Sequence, residues 1–259
     1  MPSRRLRIAA LVALAALANA CSDSSTGPSD VRPADLSQVL AELQPSSLAA
    51  LNAQISAAPV AGLTAPVPSS CTYDSTTKSF TCPSVSITGV TITRSFTLLD
   101  ASGNPQAQFD AASTAAVRMK TTFAGTITSG NSTLVVDQQQ DVTLSGLLTG
   151  AHTLNGTSLG HVTGTIGSGT TTTAVASTIS TTISDLVLPT SSTGASRWPQ
   201  SGSITATATT TVGALPTATV NTSITFNGTN KAAVTITAAG QTTHCTVDLS
   251  GETAMVCTA

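Results

Sequence analysis

The sequence predicts a mainly β protein, an antiparallel sandwich or strongly curved sheet of about ten to twelve strands, with a short N-terminal helical segment. Three observations carry this expectation. Threonine is the commonest residue from position 72 onward, and its branched side chain fits a pleated surface. Apolar and polar residues alternate with a period of two over several stretches. Four cysteines sit in pairs at spacings that suit hairpins.

The elements follow in chain order. Residues 1–20 open with MPSRRLR, three arginines and no acid, and continue into an apolar run from Ile8 to Leu17. That run is far shorter than the ~20 apolar residues needed to span a bilayer. A basic start, a short apolar core and a small-residue exit describe a secretory signal peptide, with Ala18-Asn19-Ala20 as a cleavage site. Cutting there leaves Cys21 at the new N-terminus. Residues 21–34, CSDSSTGPSDVRPA, are polar and suit a flexible tether.

Residues 35–57 hold the helical signal. Leu36, Val39, Leu40 and Leu43 fall at i, i+3, i+4 and i+7 behind Asp35 as N-cap. Pro45 ends this run, and Leu48, Leu51 and Ile55 line one face of a second short helix. Residues 58–70 carry prolines at 59, 66 and 68 and read as an extended linker.

Residues 71–259 form the threonine-rich β domain. In 132–146, Leu134, Val136, Val142 and Leu144 share one parity, with Gln138 and Gln140 between them. In 203–212, Ile204, Ala206, Ala208 and Val212 alternate with polar residues. In 217–226, Ala218, Val220, Ile224 and Phe226 do the same. Asn227-Gly228 predicts a tight type I′ turn, and residues 238–241 another. One apolar and one threonine face is the pattern of antiparallel sheets buried on one side.

The cysteines fit this layout. Folding CTYDSTTKSFTC about Thr76-Thr77 sets Cys71 opposite Cys82 and Tyr73 opposite Phe80. Folding CTVDLSGETAMVC about Gly251 sets Cys245 opposite Cys257 and Val247 opposite Met255. Facing residues of a strand pair lie within disulfide reach, so each bridge staples a hairpin. With these four paired, Cys21 is the odd cysteine, as expected if it carries a lipid.

Composition excludes several classes. Charged residues are 8% and aromatics 3%, and the net charge is −2. There is no basic stripe to neutralise phosphates and no aromatic platform for bases, so nucleic acid is not an expected partner. The aromatic girdles of a transmembrane barrel are missing too.

Motifs with catalytic or ligand-binding chemistry are few. Gly156-Thr157-Ser158-Leu159-Gly160 matches the G-x-S-x-G pattern of a nucleophile elbow, with His161 next. That motif needs a strand before it and a helix after it. The glycine- and threonine-rich sequence that follows has no helical period, so a glycine-rich β turn is the preferred reading and no catalytic residue is assigned. His152 and His161 are separated by glycine-rich sequence, with no free thiols to complete a zinc site. Asp137 and Asp141, on one strand parity, lie ~13 Å apart at 3.3 Å per residue, too far to share an ion. No metal or cofactor is expected. His244 reads as a surface residue beside Cys245. Trp198, in the loop Arg197-Trp198-Pro199-Gln200, reads as a plug at a sheet end.

The stretch Leu17-Ala18-Asn19-Ala20-Cys21 resembles a lipobox, and the first ~25 residues resemble those of bacterial lipoproteins. The resemblance implies diacylglycerol on Cys21 and attachment to a membrane of the cell envelope; Ser22 after the cysteine slightly favours the outer one. Without lipidation the product is secreted. The expected function is a lipid-anchored envelope protein with a non-enzymatic structural or binding domain. The alternative is an envelope carrier of an apolar ligand such as a lipid. A curved sheet with residues 36–55 as lid would look like the half-barrel lipoprotein carriers of bacterial envelopes.

Overall fold

The structure is a computed structural model that describes residues 67–168, 171–188, 198–249 and 256–258. The signal segment, Cys21, the tether, the helical segment at 35–57 and most of the linker lie outside these residues. Arg197 and Met255 do too.

The described chain is antiparallel β throughout and contains no helix. It begins with the hairpin β1 (Thr72–Asp74) and β2 (Ser79–Thr81), followed by β3 (Val85–Ile87), β4 (Val90–Asp100) and β5 (Pro105–Gln106). Long strands come next: β6 (Thr114–Ser129), β7 (Ser132–Ser145), β8 (Thr153–Ser168) and β9 (Thr171–Val187). The series ends with β10 (Ser201–Val212), β11 (Ala218–Thr225), β12 (Lys231–Ala238), β13 (Gln241–Asp248) and β14 (Val256–Thr258).

All fourteen belong to one hydrogen-bonded sheet, ordered β1-β2-β4-β6-β7 and on in sequence to β14. The sheet is open: β1 and β14 do not pair with each other. The count exceeds the ten to twelve expected because β4 has a segmented neighbour. Short strands β3, β2 and β5 lie in file along one edge of β4, opposite Val90–Ile92, Ser95–Phe96 and Leu98–Leu99. Strands of two or three residues carry no readable period.

Alternation places the side chains. Across β4, β6, β7 and β8 one row of facing residues reads Phe96, Met119, Val142, Gly156, and it continues through Ile183, Ile204, Ile224 and Val234 to Cys245. This face holds three apolar clusters. Val90, Ile92 and Phe123 form one, and Phe96, Leu98 and Val117 a second, which Val67 and the Cys71–Cys82 bridge join. The largest runs from Leu144 through Leu186, Ile204 and Ile224 to Val234 and Cys245. Burial is deepest at the two flanks, where Phe123, Leu98 and Ala232 have no exposed surface.

The opposite face is a hydroxyl surface. Thr207 donates to Asn221 Oδ1 at 2.8 Å, and Thr93–Thr122, Thr211–Thr217 and Thr237–Thr242 bond across strands. Such cross-strand threonine pairs contribute ~0.2–1 kcal/mol each.

Three turns show how local chemistry sets register. Ala238 faces Gln241, with Ala239 and Gly240 both at positive φ, the two-residue turn expected there. The turn expected at Asn227-Gly228 is longer than two residues. Thr225 faces Ala233, and the loop between is held by Asn227 Oδ1, which accepts from the amide and hydroxyl of Thr229. Asp74 organises the β1–β2 turn the same way, accepting from Thr76 N at 2.8 Å and Thr77 Oγ1 at 3.0 Å.

Candidate functional site

Both disulfides expected from the cysteine spacing are present. Cys71 joins Cys82 and Cys245 joins Cys257, with Cα atoms 4.0 and 3.9 Å apart. Tyr73 faces Phe80 with ring centroids 5.1 Å apart, as the spacing requires. Each bridge sits on a terminal hairpin, so both ends of the sheet are cross-linked.

The G-x-S-x-G stretch does not form a glycine-rich turn, as sequence reading preferred. Gly156 to Gly160 lie inside the 16-residue strand β8, between β7 and β9. The strand continues to Ser168, so no helix follows Gly160. Alternation turns Gly156, Ser158 and Gly160 to the apolar face and Thr157 and Leu159 to the hydroxyl face. A glycine-rich segment reads as a turn only when glycine is taken as a breaker. Here it makes a strand with a nearly bare inner face.

The three glycines of β8 on that face differ in cause. A Cβ on Gly156 would lie 2.4 Å from Asp141 O and 2.7 Å from Val142 Cα. A Cβ on Gly164 would lie 2.0 Å from Thr133 O. Both positions demand glycine because the β7 backbone leaves no room. Gly160 is different: its Cβ would meet nothing nearer than the Gln138 side chain, at 3.5 Å. Backbone geometry does not require glycine at 160.

Beside Gly160 the apolar face carries a hollow of ≈ 80 Å³. Gln138 and Val136 of β7, Ser158, His161 and Val162 of β8, and Ile179 and Thr181 of β9 surround it. Gln138 Nε2 donates to Ser158 Oγ at 3.1 Å across the strand pair. The sequence had put Gln138 and Gln140 on the same face as Leu134 and Val142, and the burial of β7 follows that alternation.

Ser158 belongs to a polar row that crosses the apolar face. Arg94, Thr121, Gln140, Ser158 and Thr181 stand opposite one another on five successive strands. Arg94 is half-buried, and that burial pulls its guanidinium pKa down. Thr121 is 2% exposed, and its Oγ1 has no hydrogen-bond partner. Nothing in single-strand periodicity announced this row, because its members come from strands far apart in sequence.

The other candidate side chains sit elsewhere. Asp141 lies on the hydroxyl face, where Arg118 Nε and Nη2 donate to its two carboxylate oxygens. The Arg118 hydrogen bonds hold the Asp141 pKa below the usual carboxylate value. Asp137 faces His161 in register, and the His161 ring bonds Thr178 Oγ1 at 3.2 Å. His244 bonds Thr235 Oγ1 on the hydroxyl face, and His152 lies just before β8. Among the described residues no three His, Cys, Asp or Glu side chains gather as a metal site. Trp198 is half-buried ahead of β10, and its carbonyl accepts from Gln200 Nε2 at 2.6 Å.

No known family model, curated protein or solved structure matches this chain.

Proposed function

We propose that this chain is an exported envelope protein, held to a membrane by a lipid on Cys21, whose β domain binds an apolar guest rather than catalysing a reaction. The guest is a lipid-like molecule laid along the inner face of a curved sheet. One observation carries the reading: the apolar residues of β4 to β13 line one face of a single open sheet, and the middle of that face is only half-buried. Sites for such guests are concave and mostly apolar, with a few fixed polar groups.

Other features support it. The disulfides suit an oxidising compartment outside the cytosol. The polar composition of the stretch after Cys21 suits a tether between membrane and domain. Residues 36–55 lie outside the described residues, and the apolar spacing of their sequence is what this reading assigns to a lid. One acyl chain contributes ~0.8 kcal/mol per buried methylene, and a diacylated cysteine carries enough of them for stable anchoring.

The test is the intact mass of the protein purified gently from its own envelope. A mass excess that survives denaturation is expected from acylation of Cys21, and its absence refutes the anchor. A further excess lost on denaturation is expected from a bound guest. If no guest is found across several detergents, the carrier reading fails and the domain is a structural or surface-binding module.

A further inference from the structure

The described chain begins at Val67, and that residue already packs on the apolar face, against the cluster of Phe96, Leu98 and Val117. The chain that precedes it therefore arrives on this face, beside β4. Further along the same face, Val136 and Gln140 of β7, Val162 of β8 and Ile179 of β9 are only half-buried. A single sheet buries its apolar face only when a second layer comes over it. Two occupants are at hand, a second copy of the chain and the residues that lead into Val67. Reach permits the second. The eleven residues 56–66 separate Ile55 from Val67 and extend to at most ~36–40 Å. From β4 to β9 the sheet crosses four strand spacings of ~4.8 Å, so the whole half-buried region lies within that reach.

Charge chooses between them. Arg94 is half-buried at an inner-face position of β4, opposite Thr121. The other cations on the described strands lie on the hydroxyl side: Arg118 and Lys120 with Asp141, and exposed Lys231 next to buried Ala232. A guanidinium drawn partly out of water is best met by a carboxylate. A second copy would bring another Arg94 to the contact and no carboxylate from β7, whose Asp137 and Asp141 belong to the hydroxyl face. The sequence 35–57 instead carries Asp35 and Glu42 and no lysine or arginine. Asp35 is the expected N-cap, its carboxylate engaged by the first turn. In the helix the sequence predicts, Glu42 falls at i+3 from Val39, on the flank of the Leu36, Val39, Leu40 and Leu43 stripe. A carboxylate there meets a cation at the border of an apolar contact.

We infer that the inner face of the sheet is the docking surface of this chain's own residues 36–55, which lie over β6 to β9 with both apolar stripes against the sheet and Glu42 paired with Arg94. The inference deepens the carrier reading and rests on it for the role of this segment as a cover, but the contact itself needs no guest. Leu40 of the first stripe and Leu51 of the second are its apolar anchors, and the Glu42–Arg94 pair sets its position on the face.

The experiment follows amide hydrogen exchange in the full exported chain, with binding of the apolar dye 8-anilinonaphthalene-1-sulfonate as a second readout. In the wild type, exchange over 36–55 is expected to be at least tenfold slower than over 21–34. Leu40→Asp with Leu51→Asp is expected to remove that protection and raise dye binding several-fold, while the amides of the sheet keep theirs. Glu42→Lys is expected to speed exchange over 36–55 several-fold, and adding Arg94→Glu to restore it. Thr207→Val, on the hydroxyl face, changes neither readout. Should the Arg94→Glu chain fail to fold, Glu42→Gln replaces the pair, with a smaller loss of protection than Glu42→Lys. Exchange over 36–55 as fast as over 21–34 in the wild type overturns the docking, as does protection that survives the leucine or Glu42 variants. Fast exchange with a doubled mass assigns the face to a second copy and overturns it too. A guest lost on denaturation from a chain whose 36–55 exchanges fast leaves the carrier reading intact while the docking falls. Protection that the variants remove, with no guest in any detergent, upholds the docking and overturns the carrier reading.

Discussion

Replacing Gly156 and Gly160 separately by alanine gives opposite results in one strand, although the two changes are chemically identical. Glycine in a strand costs ~0.5–1 kcal/mol relative to alanine through backbone entropy, so each substitution starts with that gain. At Gly160 little is subtracted, because the new Cβ meets only the Gln138 side chain at 3.5 Å, an ordinary contact. Gly160→Ala is therefore expected to stabilise by ~0.5–1 kcal/mol. At Gly156 the Cβ would lie 2.4 Å from Asp141 O and 2.7 Å from Val142 Cα, and neither backbone atom can swing away. Forcing such a contact costs ~1–3 kcal/mol. The entropy gain is common to both variants, so their difference isolates the clash at ~1–3 kcal/mol. For a domain of this size that separates the two melting temperatures by ~2–12 °C. Thermal melts of the wild type and both variants make the measurement. Equal midpoints, or Gly160→Ala below Gly156→Ala, refute the distinction between a glycine required by the backbone and one that opens a space.

Three further outcomes are expected. Replacing Cys71 and Cys82 together by serine opens a loop of 11 residues and costs about 3 kcal/mol in the chain-entropy model, read as a lower urea midpoint; an unchanged midpoint contradicts it. Thr121→Val removes a buried hydroxyl without a partner and stabilises by ~1–3 kcal/mol, whereas a loss of stability means the hydroxyl is satisfied. The turn carboxylates set an acid limit. Backbone hydrogen bonds from Thr76 and Ala112 lower the pKa of Asp74 and Asp110, and the Asn104 side chain lowers that of Asp100. A lowered folded pKa gives stability that is complete above the ordinary value of 3.8 and is lost as pH falls through the lowered ones. The urea midpoint should therefore be flat for these groups from neutral pH to about 5 and fall below about 4. A midpoint that rises on acidification contradicts the sign.

Much of the sheet was legible because strand alternation is a local signal. The parities of 132–146, 203–212 and 217–226 reappear in the burial of β7, β10 and β11. The cysteine spacings set hairpin registers directly, since a facing pair depends only on the turn between its members. Two kinds of feature stayed out of reach. Asn227-Gly228 carried the signature of a tight turn, yet the Asn227 side chain bonds Thr229 and the loop is longer. The site was out of reach for a different reason. Gln138, Ser158 and Thr181 meet only after β7, β8 and β9 pair in register, and no single strand shows that. Gly160 looked like punctuation until the space around it was known.

The strand order also governs how the domain comes apart. From β6 to β14 every strand pairs with its neighbours in sequence, so the sheet is a linear array in which cooperativity passes only between adjacent members. Arrays of this kind open by loss of a terminal member, because an end strand has a neighbour on one side only. The two covalent links lie on the β1–β2 and β13–β14 hairpins, at the margins where fraying begins. They act as end-stops, and reduction frees the two terminal hairpins from the sheet first.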